Sequence, residues 1–178
     1  MRKLVESTFV SLDGSIESPQ NWSSPYWNDE HAEYASKLLF AADALLLGRK
    51  TYESFAEAWS QRGGDPFTDR MNSMPKYVAS RTLEDTTWNV TILEGDAAEA
   101  VAALKEQPGE NLLKFGTGSF SKTLLEHGLL DELHVWIFPV LVGNGQRLID
   151  GIDVTHLDLI QTTRFGSGIV VNAYAPKR

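Results

Sequence analysis

The sequence predicts an α/β fold, in which a mostly parallel central sheet is flanked by helices and carries an antiparallel C-terminal edge. Two observations lead to this prediction. Apolar runs of strand length alternate with amphipathic runs of helix length along most of the chain. The last two strand-like runs are joined by a glycine turn, which is typical of an antiparallel pair. We expect one domain over residues 1–178, a usual size for a single hydrophobic core.

The first part of the chain contains a strand, a long loop, a helix and a second strand. The strand is predicted over residues 4–10 ("LVESTFV"), and the polar, turn-rich residues 11–27 form the loop. The helix begins at Asp29, because acidic residues favour a helix start and apolar residues then recur on one face. That face consists of Ala32, Ala35, Leu38, Leu39 and Ala42. The run "ALLLG" is predicted to be a buried strand that closes at Gly48.

The rest of the chain continues the alternation. Helices are predicted over residues 49–59 and 96–107 and directly after "GTGS" (residues 116–119). Strands are predicted over residues 76–80, 90–93, 112–115, 132–142, 157–165 and 168–175. The strand "ELHVWIFPVLV" is apolar enough either to be covered by helices or to be buried by a second copy of the chain. We expect a homodimer.

Composition excludes several classes of function. The formal net charge of −8 disfavours binding to nucleic acid or to an anionic membrane surface. The absence of cysteine excludes disulfides and thiolate metal sites, and the dispersed histidines predict no metal site. "HAE" at residues 31–33 matches part of a zinc deaminase motif, but without cysteines it is predicted to be ordinary helix surface. The N-terminal run lacks the features of a signal peptide, and "LLFAADALLL" is too short to span a bilayer, so we expect a cytoplasmic protein.

Three predicted strand ends carry residues that suit phosphate groups, in "LLLGRKT", "YVASRT" and "LKFGTGS". In a parallel sheet, ligands bind outside the carboxyl ends of the strands, where helix N-termini present unpaired amides. Turn geometry explains any one of these glycines equally well, but three such ends together favour a bound pyrophosphate and an additional ribose phosphate on the arginines. "GTGSFS" lacks the third glycine of the dinucleotide fingerprint, so a standard Rossmann domain is disfavoured.

The order of these motifs resembles the dihydrofolate-reductase-like superfamily. The segments that carry the resemblance are "VSLDGSIESP", "LLLGRKTYESF", "KYVASRTLED" and "GSFSKTLLEHGLLDELHVWIFPVLVGNGQRL". They are most similar to the RibD C-terminal domain, the reductase domain of the riboflavin-biosynthesis deaminase-reductase. The resemblance spans nearly the whole chain. It implies an NADPH-dependent reductase that passes a hydride to a small flat heterocycle, such as a ribosylaminopyrimidine or a pterin-like compound.

The resemblance also implies roles for individual residues. The cofactor-binding residues that it implies are Gly48, Arg49, Lys50, Thr51, Ser80, Arg81, Thr82, Gly116, Thr117, Gly118, Ser119 and Phe120. Residues 9–16 are similar to the mobile segment that covers the nicotinamide. Within it, Asp13 is the candidate catalytic residue, although an Asp-Gly pair also suits a plain turn. The candidate substrate contacts are Ile16, Trp22, Trp27 and Phe55. The tryptophans either stack on the heterocycle or fix the loop to the domain, and Phe55 either forms a substrate wall or packs in the core.

Two departures leave the substrate open. Ala32 stands where dihydrofolate reductases place a carboxylate, which weighs against folate. "KFGTG" lacks the acidic residue that the riboflavin branch carries before its paired glycines. Two alternatives therefore remain: a non-catalytic nucleotide-binding regulatory module, and a flavin-binding oxidoreductase that uses the same cleft.

Overall fold

Eight strands and five α-helices make up the fold in the computed structural model, which describes residues 1–84 and 87–178. Asp85, the last residue of "KYVASRTLED", lies outside this range. The strands are β1 (Leu4–Ser11), β2 (Ala42–Gly48), β3 (Lys76–Ala79), β4 (Val90–Leu93), β5 (Asn111–Phe115), β6 (Glu132–Phe138), β7 (Leu157–Arg164) and β8 (Val170–Pro176). The helices are α1 (Asp29–Phe40), α2 (Arg49–Trp59), α3 (Pro66–Ser73), α4 (Ala97–Glu106) and α5 (Ser119–Glu126). Two 3-10 turns, Pro19–Asn21 and Ser24–Tyr26, shape the loop after β1.

All strands belong to one sheet, in the order β4-β3-β2-β5-β1-β6-β8-β7. The six strands from β4 to β6 pair in parallel, whereas β8 pairs antiparallel with β6 and with β7. The predicted parallel sheet with an antiparallel C-terminal edge is therefore confirmed. Parallel pairing brings the carboxyl ends of β1, β2, β3 and β5 to a common edge of the sheet.

The helices lie on both faces of the sheet. Consecutive residues of β1 belong to core clusters on opposite faces of the sheet. Leu4 packs with α4 and α5, and Val5 packs with α1, α2 and α3. On the face of the sheet that α4 and α5 cover, the part formed by β6, β8 and β7 is less well covered by helices. A shallow apolar depression lies there, with Leu133, Ile137 and Leu157 in its lining, and Leu159 of β7 is 58% exposed. None of the helices in the described residues is long and apolar enough to cross a membrane.

Four sequence-based predictions of local structure are wrong. Ala42 begins β2 instead of ending the first helix, and Ala32 is exposed rather than on the inner face. The third error is the missed helix α3, which begins after Asp65, whose carboxylate accepts a hydrogen bond from Thr68 N at 2.9 Å. The fourth error is the end of β6, which lies at Phe138 rather than at residue 142, because Pro139 has no amide hydrogen to continue the ladder.

Candidate functional site

The three strand ends that the sequence indicated lie beside one another. β3, β2 and β5 are consecutive in the sheet, and they end at Ala79, Gly48 and Phe115. Gly48 and Ala79 are paired directly in the sheet register. The loops that follow these strands therefore form one continuous rim at the carboxyl edge of the sheet. In parallel α/β sheets, this edge is where ligands usually bind.

The helices at this rim start differently from the others. Asn28, Asp65 and Asp96 cap α1, α3 and α4 with side-chain hydrogen bonds to first-turn amides. By contrast, α2 and α5 start after Gly48 and Gly118, and in the described residues neither helix has a side-chain cap. The first-turn amides of these two helices therefore keep their positive partial charge available for an anion.

Side chains in the first turn of α2 contact the loop after β3 and the loop after β5. Arg49 donates a hydrogen bond to Thr82 Oγ1 and also pairs with Glu53 Oε1 at 2.9 Å. Thr51 lies against the loop after β5, since a Cβ built on Gly116 would come within 3.1 Å of Thr51 Oγ1. Gly116 has a φ of +73°, a conformation that favours glycine. Lys50 is exposed.

The loop after β3 is ordered by its own serine. Ser80 Oγ accepts hydrogen bonds from the amides of Thr82 at 3.3 Å and Leu83 at 3.1 Å. Arg81, which lies between Ser80 and Thr82, is exposed. The loop thus places a second guanidinium on the same rim as Arg49, where both can attract an additional phosphate.

The loop after β5 presents backbone more than side chains. Within residues 1–84 and 87–178, the amides of Thr117, Gly118 and Ser119 have no hydrogen-bond acceptor. Thr117 Oγ1 donates to Leu148 O at 3.1 Å, and Ser119 is exposed. Phe120 is half-buried and packs against the core on the α5 side of the sheet. Bare amides are therefore the chemistry that this loop offers to a ligand.

Asp13 anchors the segment that follows β1. One carboxylate oxygen of Asp13 accepts hydrogen bonds from Ser11 Oγ at 2.6 Å and from Val142 N at 3.1 Å, and the other accepts one from Gly143 N at 2.7 Å. These hydrogen bonds, with that of Ser11 contributing most, lower the pKa of Asp13 to about 2. The carboxylate is therefore ionised at neutral pH and accepts hydrogen bonds rather than donating them. A catalytic role for Asp13 stays a prediction, in which the side chain acts as an ionised carboxylate.

Of the predicted substrate contacts, Ile16 and Trp22 pack against other parts of the domain, whereas Trp27 is exposed. Ile16 packs against the core on the α5 side, and Trp22 donates from Nε1 to Glu17 O at 3.0 Å while its ring meets Phe138 edge-on. These contacts favour the loop-fixing role for Trp22. Trp27 is 55% exposed and lies over His31, with ring centroids 5.2 Å apart.

His31 is a residue that the sequence interpretation assigned wrongly to the helix surface. Its ring lies among Phe9, Trp27 and Trp136 at centroid distances of 4.9 to 5.6 Å, and its Nδ1 atom is buried without a hydrogen-bond partner in the described residues. Burial lowers the pKa of His31 to about 4, so the ring is neutral at pH 7. The asparagine cap at position 28 sets this orientation, since it fixes where the helix begins.

Aromatic side chains gather on the face of the sheet that α1 and α2 cover, and we call them the aromatic floor. Phe9 and Trp136 are paired residues of β1 and β6, and Phe115 of β5 pairs with Ser7, two residues before Phe9 and hence on the same face. Phe55 of α2 contacts Phe115 at a centroid distance of 5.4 Å. His31 and Phe55 therefore flank an aromatic floor next to the rim that carries the bare amides. No group of acidic residues and histidines suited to a metal ion is found in the described part of the chain.

Comparisons with known proteins bear on the family and the fold. The family model of the RibD C-terminal domain matches residues 2–171. The uncharacterized protein YyaP of Bacillus subtilis (strain 168) is 29% identical over 97% of this chain and 94% of its own. A Shewanella sp. PV-4 protein provisionally assigned to riboflavin biosynthesis has a TM-score of 0.79 and 22% identity over 99% of both chains.

A pyrimidine reductase-like protein of Corynebacterium diphtheriae has a TM-score of 0.69 and 16% identity, and the match covers 99% of this chain and 92% of that one. At these identities, the two structural matches show the fold. They support the dihydrofolate-reductase-like architecture that the sequence motifs predicted.

Proposed function

Because the chain belongs to the RibD C-terminal domain family, we propose that residues 1–178 act as one reductase domain that uses NADPH. The proposed reaction is hydride transfer to a small heterocycle of the ribosylaminopyrimidine or pterin-like class. One observation carries the proposal. The two uncapped helix starts, at Gly48 and Gly118, adjoin each other at the carboxyl edge of the sheet, beside two arginines. This combination suits a dinucleotide that carries an extra phosphate.

The residues present fit the cofactor chemically. The bare amides of Thr117, Gly118 and Ser119 would hold the pyrophosphate, together with the first turn of α2. Arg49 and Arg81 would hold the additional phosphate on the adenosine ribose, since guanidinium groups bind phosphate as forked donors. NADPH, when bound, supplies the hydride.

The aromatic floor would receive the acceptor ring. Phe9 and Phe115, which are partly exposed, would offer apolar contact, and Phe55 and His31 would close the two sides, while the buried Trp136 supports Phe9 and His31 from below. The segment after β1, anchored by Asp13, would exclude water from the reacting atoms. Because the Asp13 carboxylate is ionised, the proton that completes the reduction would come from water.

The apolar depression on β6, β8 and β7, with the exposed Leu157 and Leu159 of β7, supports the expected homodimer. Leu159 pairs in register with Tyr174, which lines the same depression as Ile137. A symmetric dimer would bury this face against its own copy, which is how most homo-oligomers pair.

Calorimetric titration with NADPH and, separately, with NADH tests the proposed cofactor. We expect NADPH to bind at least about tenfold more tightly, since guanidinium–phosphate hydrogen bonds contribute roughly 1.5–3 kcal/mol. Absence of binding for both cofactors would overturn the proposal. A screen of ribosylaminopyrimidines, pterins, quinones and flavins, followed through NADPH oxidation, then tests the reaction.

The two alternative functions give different results in the same experiments. Tight NADPH binding with no oxidation in any mixture would indicate a non-catalytic nucleotide-binding module. A yellow purified protein, with flavin released on denaturation, would indicate a flavin-binding oxidoreductase.

A further inference from the structure

A buried ion pair lies directly beneath the loop of bare amides. Lys114 of β5 and Glu6 of β1 are paired in the sheet register, and their Nζ and Oε2 atoms are 3.1 Å apart. The side chains are 3% and 0% exposed. Ser121, in the first turn of α5, joins them by accepting from Lys114 Nζ at 2.8 Å and donating to Glu6 Oε2 at 2.7 Å. The pair therefore connects two central strands to the start of α5.

The same lysine holds the loop itself. Lys114 Nζ donates a hydrogen bond to Gly116 O at 2.6 Å. On the other side of the residue, Gly116 N donates to Ser7 O at 3.0 Å. Both backbone polar groups of Gly116 are thus bound to the sheet. The next three amides, of residues 117 to 119, have no acceptor among the described residues.

Stability alone does not account for this pair. Replacing a buried ion pair with apolar residues of similar volume is often neutral or stabilising, because desolvation costs as much as the attraction returns. Here the cost is raised further, since Glu6 Oε1 is buried and has no hydrogen-bond partner in the part of the chain that the structure describes. The contacts of the pair instead converge on the Gly116 carbonyl and on the first turn of α5.

We infer that Lys114 and Glu6 are positioning residues for the cofactor's pyrophosphate. Lys114 holds the Gly116 carbonyl towards the sheet, and Glu6 with Ser121 holds Lys114 in place. The peptide groups that follow are thereby fixed with their amides available to the anion before it arrives. Preorganised donors of this kind bind an anion without reorganisation at the moment of binding. The inference rests on the proposed function, because it assigns the ligand group that the amides receive.

A matched control exists within the chain. Lys105 of α4 is also 3% exposed, and its Nζ also donates to one carbonyl, Leu129 O at 2.6 Å, and to one carboxylate, Asp131 Oδ2 at 2.5 Å. Asp131 in turn accepts from Leu4 N, at the start of β1 and hence at the opposite edge of the sheet. The variants Lys114→Met and Lys105→Met therefore each remove a buried ammonium that contacts one carbonyl and one carboxylate, one below the loop and one far from it. Asp131 keeps Arg178 as a partner, so Lys105→Met should fold.

The test is calorimetric titration of the wild type and of both lysine variants with NADPH and with NADH. We expect Lys114→Met to weaken both cofactors by the same factor, about tenfold to a hundredfold, because both contain the pyrophosphate. Lys105→Met should bind both as the wild type does. Wild-type affinity in Lys114→Met, or an equal loss in both lysine variants, would refute the inference. A wild type that binds neither cofactor would refute the proposed function instead.

The double variant Glu6→Leu/Lys114→Met covers the case in which the single variant does not fold. It leaves no unpaired buried charge, so we expect thermal unfolding close to that of the wild type. Affinity for both cofactors should still fall about tenfold or more. A folded double variant with wild-type affinity would refute the positioning role.

Discussion

Arg49 donates a hydrogen bond to the hydroxyl oxygen of Thr82 and so joins the first turn of α2 to the loop after β3. The two segments follow neighbouring strands of the sheet. A guanidinium held in this way has lost part of its rotamer freedom, which would lower the entropic cost of binding the proposed phosphate.

The variant Arg49→Gln tests whether this contact serves the additional phosphate of NADPH. We expect the dissociation constant for NADPH to rise about tenfold, with that for NADH nearly unchanged. The effect should shrink as salt increases, because the side chain is 46% exposed and exposed charges are screened. Arg62→Gln, which removes a cation that lies over Trp59 at the other end of α2, is the control and should leave both affinities unchanged.

The variant Asp13→Asn tests the anchoring of the segment after β1. An amide group cannot accept from Ser11, Val142 and Gly143 in the way that two carboxylate oxygens do, so we expect faster hydrogen exchange at Val142 and Gly143. NADPH turnover should fall while NADPH affinity is retained. Full turnover with retained affinity would remove Asp13 from any role in the reaction.

Acid sensitivity offers a second measurement on the same variant. The pKa of Asp13 is lowered from 3.8 to about 2, so its stabilising effect is complete above about pH 4 and is lost as pH falls towards 2. The difference in urea midpoint between the wild type and Asp13→Asn should therefore be constant near neutrality and disappear at about pH 2. A difference that stays constant throughout this range would contradict the assignment.

The variant His31→Phe should make the fold less sensitive to mild acid. Because burial lowers the pKa of His31 from 6.5 to about 4, the unfolded chain binds an extra proton between these values, and stability falls as pH drops from about 6.5 to 4. Because the ring is half-exposed and partly screened by solvent, we expect the free energy of unfolding to fall by only about 1 kcal/mol at pH 5.

Urea midpoints at pH 7.5 and pH 5 measure this loss. His134, whose pKa is also lowered by burial, contributes equally to the wild type and the variant. Replacement of the exposed His156 is the control and should leave the wild-type pH dependence intact.

The variant Leu159→Glu tests the proposed dimer face. Each copy would bury this side chain, and burial of a leucine contributes about 1.5–3 kcal/mol, so a charge there should raise the dimer dissociation constant by at least about tenfold. Sedimentation velocity would measure the change. Phe40→Glu is the control, since Phe40 is similarly exposed, at 52%, but belongs to α1 on the opposite face. Equal sedimentation of the wild type and both variants as monomers would rule out the dimer.

The strand and helix pattern was largely predictable, because most elements show the periodicity of their type. The exception is α3, in which Thr68 and Met71 are the buried residues; a polar residue at a core position hides the helical pattern. His31 was missed for a related reason. A histidine is not counted as apolar, so the inner face of α1 was assigned to Ala32 one residue later.

The position of the proposed cofactor residues at the ends of neighbouring strands was predictable, but their contacts were not. Glycines and arginines after strands signal a phosphate site by their local chemistry alone. By contrast, the pairing of Glu6 with Lys114 depends on the register between β1 and β5, which are far apart in the sequence. The hydrogen bonds that Val142 and Gly143 donate to Asp13 likewise depend on where β6 ends, and only the folded chain shows that.

The central position of β1 has a consequence for how the chain folds. Leu4 pairs with Leu112, and Val5 pairs with Glu132, so the first strand has no partner until β5 and β6 have been synthesised. Loop closure over such separations is slow, and the apolar strand stays exposed in the meantime. We expect refolding of the full chain to be limited by the insertion of β1 between β5 and β6. During synthesis, a nascent chain that ends before Phe138 lacks part of β6, so we expect it to depend on chaperones.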